Sequence, residues 1–262
     1  MSRSRDWALY VVMAAVYLFL LAPLIVVIGA SLTTSAFLEF PPRGVTLSWF
    51  GEVLEQEMWT TTLWVSIKLA AVAMVIAALV GIPCSVALAR GSFPGRAVIT
   101  AAVLSPLMVP SIVLAISLLV IYSRSGIEMP FWRLALAHGV LTAPYLIRTL
   151  TAALEQLDPA LEEAARNLGA TPLVAWLRVV LPTVRPALIA AMFFAFIMSF
   201  DELVVALFLS GPQLTTLPMQ IYGEIQYKLS PSIAAVSTLL IVITVAGVLA
   251  IERSLGVRRL IR

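Results

Sequence analysis

Two adjacent carboxylic acids, Asp201 and Glu202, lie within a long apolar stretch, and Ser199 precedes them. An acidic side chain at the centre of a membrane-spanning helix costs about 2.5–3.5 kcal/mol on insertion scales, so such residues usually face a bundle interior or an aqueous path. A carboxylate there would offset part of the dehydration of a cationic solute. We therefore predict that Ser199, Asp201 and Glu202 line a substrate pathway.

Other roles for these residues stay open at the level of the sequence. Asp201 also suits a cap at a helix break or an ion pair with an arginine of a partner subunit, and Glu202 also suits the outer membrane interface. His138 lies in another apolar stretch. It could relay protons, but the same position suits a histidine that is hydrogen-bonded to a neighbouring helix.

The motifs of common enzyme classes are missing from the sequence. No Gly-x4-Gly-Lys-Ser/Thr loop occurs in the chain, and this loop is the usual site for the phosphates of ATP. A Ser/His dyad motif, an HExxH sequence and a paired catalytic aspartate motif are not found either, which disfavours an intramembrane enzyme. We expect a non-catalytic subunit that binds no cofactor itself.

The elements that must position these residues are membrane helices. The chain is 61% hydrophobic and 12% charged, whereas a typical soluble domain has about 25% charged residues. Crossing a bilayer takes about 20 apolar residues. We predict an all-α membrane protein with one transmembrane domain over residues 1–262 and six spans, at about 8–30, 64–89, 97–122, 132–154, 186–210 and 232–252.

The distribution of basic residues predicts the orientation of these spans. With an even number of spans both termini lie on one side. The residues on that side are Arg3, Arg5, Arg90, Arg96, Arg148, Arg166, Arg178, Arg185, Arg253, Arg258, Arg259 and Arg262. The residues on the other side are Arg43, Lys68, Arg124, Arg133 and Lys228. The positive-inside rule therefore places both termini in the cytoplasm.

A polar cytoplasmic loop, 155–185, interrupts the apolar sequence between the fourth and fifth spans. Asp158-Pro159 and Thr171-Pro172 each combine a side-chain cap with proline at the first helical position, which predicts two short helices. Gly169 between them suits a left-handed residue after the first helix. We expect Leu181-Pro182 to end the second helix and Pro186 to open the fifth span.

The loop carries a spaced motif: Glu163-Ala164-Ala165, three residues, Gly169, nine residues, Val179, one residue, then Leu181-Pro182. It resembles the EAA loop of permease subunits in type I bacterial ABC importers. In that family the loop docks into a groove on a cytoplasmic ATPase and transmits its movement to the membrane helices. The resemblance implies that Glu163, Ala164, Ala165, Gly169, Leu181 and Pro182 couple this chain to an ATPase.

The C-terminal half is similar to the spermidine/putrescine branch of these permeases. The matching segments are Ser199-Phe200-Asp201-Glu202, Gly211-Pro212, Thr216-Leu217-Pro218, Ser230-Pro231 and Ala234-Ala235-x-Ser237-Thr238. This similarity implies polyamine transport. An importer of the same class for another small nitrogenous solute or iron is an alternative. An ion-driven carrier that uses Asp201, Glu202 and His138 is another, but it leaves the cytoplasmic loop unexplained.

The resemblance also implies the rest of an assembly. One such subunit forms half of a translocation path, so we expect a second homologous permease subunit in the bilayer of the bacterial inner membrane. Two separate ATP-binding cassette subunits would bind ATP and Mg²⁺, and a periplasmic binding protein would deliver the solute. Nothing in the sequence suggests a nucleic-acid partner.

Overall fold

The structure, a computed structural model, describes residues 3–127 and 129–255. These residues fold into helices, and no strand occurs among them. The helices are α1 (Arg3–Ser31), α2 (Ser48–Glu55), α3 (Glu57–Arg90), α4 (Arg96–Leu104), α5 (Ser111–Ser125), α6 (Pro130–Gln156), α7 (Pro159–Asn167), α8 (Pro172–Ala175), α9 (Leu181–Phe200), α10 (Val204–Leu209), α11 (Leu217–Tyr227) and α12 (Pro231–Leu255). An all-α membrane protein is confirmed.

Several of these helices are long and apolar enough to cross a membrane. In the described part of the chain four do so: Leu9–Ser31, Glu57–Arg90, Pro172–Phe200 and Pro231–Ala250. The pair Arg96–Leu107 and Ser111–Ser125 adds a fifth if it is one span, although it bends by 103°. The count of six and the cytoplasmic termini stay predictions, and Arg258, Arg259 and Arg262 lie outside the described residues.

The third predicted span, 97–122, is not one straight helix. α4 ends at Leu104, a 3₁₀ turn covers Ser105–Leu107, and α5 begins at Ser111. Pro106 and Pro110 lie in this interval. Because each proline lacks a backbone donor and its ring clashes with the preceding turn, a continuous helix is disfavoured there.

The fifth predicted span, 186–210, has different bounds in the structure. The helix begins at Pro172, continues through a π-helical turn at Trp176–Val180 and ends at Phe200. Leu181-Pro182 therefore does not end a helix, contrary to our expectation. The Leu181 N–H donates to the carbonyl of Trp176, five residues back. This wider turn leaves room for the ring of Pro182, which an ordinary α-turn would exclude.

The chain divides into two compact units, one of residues 62–219 and one of 1–61 with 220–262. α6 is the central helix of the first unit, and its buried residues contribute to two apolar clusters. One cluster joins it to α3, α5 and α10, and the other joins it to α3 and α9. A Cβ at Gly139 of α6 would lie 2.6 Å from Ile76 Cγ2, so glycine permits the close approach to α3.

The second unit contains α1, α2 and α12. α12 packs against both α1 and α2. The segment between α1 and α2 is tied back to the end of α1: Thr46 N donates to Leu32 O at 2.8 Å, and Trp49 Nε1 donates to Thr33 O at 2.8 Å. These bonds fix α2 beside the end of α1.

Candidate coupling hairpin and pathway residues

The first helix of the cytoplasmic loop, α7, is defined by its caps. Asp158 Oδ1 accepts a hydrogen bond from Ala160 N at 2.9 Å, and Pro159 is the first helical residue. After α7, Gly169 has φ +92°. Gly169 N donates to Arg166 O at 3.0 Å and Ala170 N donates to Ala165 O at 3.1 Å. This pair of bonds is a Schellman motif, which ends the helix.

The second arm of the loop starts two residues after this glycine. Thr171 Oγ1 accepts from Val174 N at 3.4 Å, and Pro172 opens α8. The π turn that follows packs against α7. We call residues 158–182 the coupling hairpin. Its two helix starts and its left-handed glycine are as the sequence predicts, and its second arm is continuous with the membrane helix α9.

The structure places the predicted coupling residues in two groups. Glu163 and Ala164 are exposed on α7 and Ala165 is half-buried, while Gly169 lies at the exposed tip. Leu181 and Pro182 instead belong to the first turn of α9. An open depression on the hairpin is lined by Glu163, Arg166, Asn167, Ala170 and Pro172.

The tip of the hairpin also carries an apolar side chain that our sequence analysis did not single out. Leu168 is 90% exposed, next to Gly169. Leu161, Leu173 and Leu177 are exposed as well. The signal in the sequence is a leucine directly before the glycine that ends the helix. No further turn of α7 follows to shield this side chain from solvent. Where exposed apolar side chains form a contiguous patch, they mark a surface that contacts another protein or a membrane.

The predicted pathway residues lie where α9 ends. Asp201 is the residue after the last helical residue, and Asp201 N donates to Ile197 O at 3.0 Å. Its side chain is exposed and forms no ion pair with any described residue. The acids thus lie at a helix end and not inside a continuous helix, because the helix starts and stops earlier than the span that we predicted.

Glu202 has a defined structural role at this break. Its Oε1 accepts a hydrogen bond from Val205 N at 3.0 Å. This bond satisfies a backbone donor in the first turn of α10. The capping role that the sequence offered for Asp201 is therefore filled by Glu202, and the Asp201 carboxylate stays available.

Ser199 is buried against α6. Its Oγ lies 2.9 Å from His138 Nδ1, and the two residues are 2% and 1% exposed. Ser199 continues a row of small buried residues on α9, Ala191 and Ala195, which lets α9 approach α6 closely. The bond between helices is the role for His138 that we set beside a proton relay.

Comparison with known proteins identifies the family. Residues 81–255 match the family model described as "Binding-protein-dependent transport system inner membrane component". This match covers the coupling hairpin, the break after α9 and the whole of α12. The chain belongs to this family. It is therefore a multi-pass protein of the bacterial inner membrane and a component of a binding-protein-dependent transport system.

Two relatives from Escherichia coli (strain K12) are similar over most of the chain. The spermidine/putrescine transport system permease protein PotC is 32% identical over 238 residues, which cover 91% of this chain and 90% of PotC. The putrescine transport system permease protein PotI is 33% identical over 232 residues, which cover 86% of this chain and 82% of PotI. Both names describe permease proteins of transport systems.

The fold is also found in a solved structure. A bacterial ABC transporter involved in the import of the acidic polysaccharide alginate contains a chain that matches with a TM-score of 0.74. The match covers 96% of each chain, at 18% sequence identity. At this sequence identity the similarity shows that the two chains share a fold, which is the fold of a chain in an ABC importer.

Proposed function

We propose that this chain is one permease subunit of an ATP-driven importer for polyamines, with putrescine and spermidine as substrates. A second permease subunit completes the path, and a periplasmic binding protein delivers the solute. Separate ATPase subunits bind ATP and Mg²⁺, since the chain has no phosphate-binding loop. The relatives PotC and PotI, named for these substrates, support the proposal.

The observation that carries the mechanism is one continuous helix. Pro172–Phe200 begins inside the coupling hairpin and ends directly before Asp201. At 1.5 Å per residue this helix is about 43 Å long. If an ATPase moves the hairpin, the helix transmits this movement to the break after Phe200, where Asp201 lies. The helix acts as a lever, and its π turn is a place where the lever can bend.

The hairpin is suited to receive such a push. Its caps at Asp158 and Thr171 and the turn at Gly169 fix the angle between its arms. Glu163 and Ala164 form a slim exposed surface, and Leu168 projects from the tip. An exposed leucine that becomes buried in a groove of the ATPase would supply much of the docking energy, since burying one leucine stabilises by about 1.5–3 kcal/mol.

Asp201 is the acid that we assign to the solute. A polyamine carries several ammonium groups, and each must lose part of its hydration on entering the membrane. The exposed Asp201 carboxylate is free to replace some of that hydration, whereas Glu202 bonds Val205 N and Ser199 bonds His138. Glu202 and Ser199 then shape the break around Asp201 and leave the contact with the cation to it.

The proposal is tested by uptake of labelled putrescine and spermidine in cells with and without the gene. Wild type is compared with Asp201→Asn, which keeps the side-chain volume and removes the charge. We expect gene-dependent uptake that falls in the variant. Equal uptake in cells with and without the gene would contradict the polyamine assignment. Other labelled nitrogenous solutes and iron would then be assayed.

A further inference from the structure

The last residue of α3 contacts the coupling hairpin and the segment that enters it. Arg90 Nη2 donates a hydrogen bond to Leu157 O at 3.1 Å, and Arg90 Nε lies 4.0 Å from Glu162 Oε2. Leu157 caps the end of α6, and Glu162 lies in the first turn of α7. The guanidinium group at the end of α3 thus contacts the end of α6 and the start of α7.

The contact is partly shielded from solvent. The side chains of Arg90 and Glu162 are 24% and 30% exposed. The end of α3 is held in place, since Gly91 N donates to Ala87 O at 2.9 Å and a Cβ at Gly91 would lie 2.4 Å from that same oxygen. Leu157 O is a carbonyl at a helix end that lacks an intrahelical donor, so Arg90 satisfies it from a fixed position.

One donor of this group is still unused. Arg90 Nε is buried and has no hydrogen-bond partner among the described residues. Its distance of 4.0 Å to Glu162 Oε2 is an ion-pair distance and is too long for a hydrogen bond. A movement of α7 toward α3 by about 1 Å would bring the two atoms into hydrogen-bond range. Such a movement would turn the present ion-pair contact into a hydrogen bond, so this contact is sensitive to the position of α7.

We infer that Arg90 is a positioning residue that carries movement of the coupling hairpin to α3, in parallel with the lever formed by Pro172–Phe200. The inference rests on the proposed function, because it requires an ATPase that moves the hairpin. Arginine suits the task because its planar fork holds Leu157 O through Nη2 while Nε faces Glu162, whereas a lysine ammonium is a single point charge.

A second arginine in the same turn provides the matched control. Arg96 Nη2 bonds Glu155 Oε1 at 2.9 Å, so it also joins the α3–α4 turn to the end of α6. The side chains of Arg96 and Glu155 are 45% and 50% exposed, and Glu155 belongs to α6 and not to the hairpin. Exposed ion pairs contribute little to stability. Loss of Arg96 tests the effect of removing a positive charge from this turn without removing the contact to the hairpin.

The experiment uses the whole transporter reconstituted in proteoliposomes, with uptake of labelled polyamine and ATP hydrolysis measured together. Arg90→Gln is expected to lower the uptake per ATP hydrolysed by about fivefold or more. A fivefold change lies at the lower end of the range that allosteric coupling usually produces. Arg90→Lys is expected to lie between Arg90→Gln and wild type. Arg96→Gln is expected to match wild type, and co-purification of the ATPase is expected to be normal in all variants.

A second readout does not depend on the substrate. Cys84, the single cysteine of the chain, lies in α3 and is half-buried. We expect ATP to change the rate of thiol labelling at Cys84 in the wild-type complex and to leave it unchanged in Arg90→Gln. A nucleotide response without polyamine uptake would contradict the proposed substrate and support the inference if Arg90→Gln removes that response.

The remaining outcomes overturn the inference. Wild-type coupling and Cys84 labelling in Arg90→Gln would show that α3 moves without Arg90. An equal loss in Arg90→Gln and Arg96→Gln would assign the effect to charge alone. Loss of ATPase co-purification in Arg90→Gln would assign the residue to docking. A wild-type complex without any nucleotide response would contradict the ATP-driven mechanism and the inference with it.

Discussion

The coupling hairpin and the break after α9 lie at the two ends of one helix, and they are built in opposite ways. The hairpin is exposed and its shape is fixed by local bonds, each spanning a few residues, at Asp158, Gly169 and Thr171. At the break, by contrast, Ser199 is held by His138, 61 residues away in the chain. The hairpin thus keeps its shape through local bonds, whereas the break combines the local cap at Glu202 with a bond to the packed core.

The largest expected effect breaks the hairpin turn. In Gly169→Pro the ring fixes φ near −65°, whereas the turn needs φ +92°, and the N–H to Arg166 O is lost. We expect transport to be abolished while membrane insertion stays normal, as measured by uptake and by the amount of protein in the membrane. Normal uptake in this variant would contradict the coupling assignment.

Gly169→Ala and Gly126→Ala together show whether a loss of coupling comes from backbone strain in general or from strain in the hairpin. Gly169 and Gly126 have φ +92° and +67°, and a Cβ would meet nothing within 4 Å at either. Alanine in a left-handed conformation costs about 1–2 kcal/mol at both sites. We expect only Gly169→Ala to lower the uptake per ATP hydrolysed. An equal loss in Gly126→Ala would mean that strain anywhere in the protein has the same effect.

This contrast also explains how much could be predicted from the sequence. The caps at Asp158 and Thr171 and the turn at Gly169 follow from the chemistry of neighbouring residues, and the structure confirms them. The fifth predicted span, 186–210, does not coincide with the helix Pro172–Phe200 that the structure shows. Prolines such as Pro182 usually stop a helix. The π turn that accommodates Pro182 packs against α7, a contact that no local pattern shows.

The bonds between distant residues could not be predicted for the same physical reason. The bond between His138 and Ser199 joins residues 61 positions apart, and the bond between Arg90 and Leu157 joins residues 67 positions apart. A single sequence gives the helical face of each residue but not which faces meet. Sequence reasoning therefore selected Ser199 and Asp201 as a group, and only the structure separated the buried serine from the exposed acid.

A medium effect is expected at the buried bond between α6 and α9. Ser199→Ala leaves His138 Nδ1 buried without its partner, which costs about 1–3 kcal/mol of stability. Ser117→Ala is the control, because Ser117 is exposed on α5 and, among the residues that the structure describes, bonds Val113 O of its own helix at 2.8 Å. We expect thermal unfolding in detergent to begin at a lower temperature for Ser199→Ala alone. Equal decreases in unfolding temperature for the two variants would show that the bond between His138 and Ser199 stabilises the protein no more than the exposed one does.

The smallest expected effect is at the cap of α10. Glu202→Ala removes the acceptor of Val205 N and costs about 1 kcal/mol, as for other caps. Glu202→Gln retains a side-chain oxygen, so we expect its thermal stability and polyamine uptake to match wild type. A strong loss of uptake in Glu202→Gln with unchanged stability would instead give Glu202, beside Asp201, a direct part in binding the cation.

The most direct test of the account asks whether the tip of the hairpin contacts an ATPase. In a Cys84→Ser background, Leu168→Cys places a thiol at the exposed tip, and Leu229→Cys places one at another exposed leucine in the predicted outer loop. We expect a bifunctional thiol–amine reagent, applied to inverted membrane vesicles, to join an ATPase chain to the first variant and not to the second. No cross-link from Leu168→Cys, or equal cross-linking from both, would contradict the claim that this hairpin couples the permease to ATP hydrolysis.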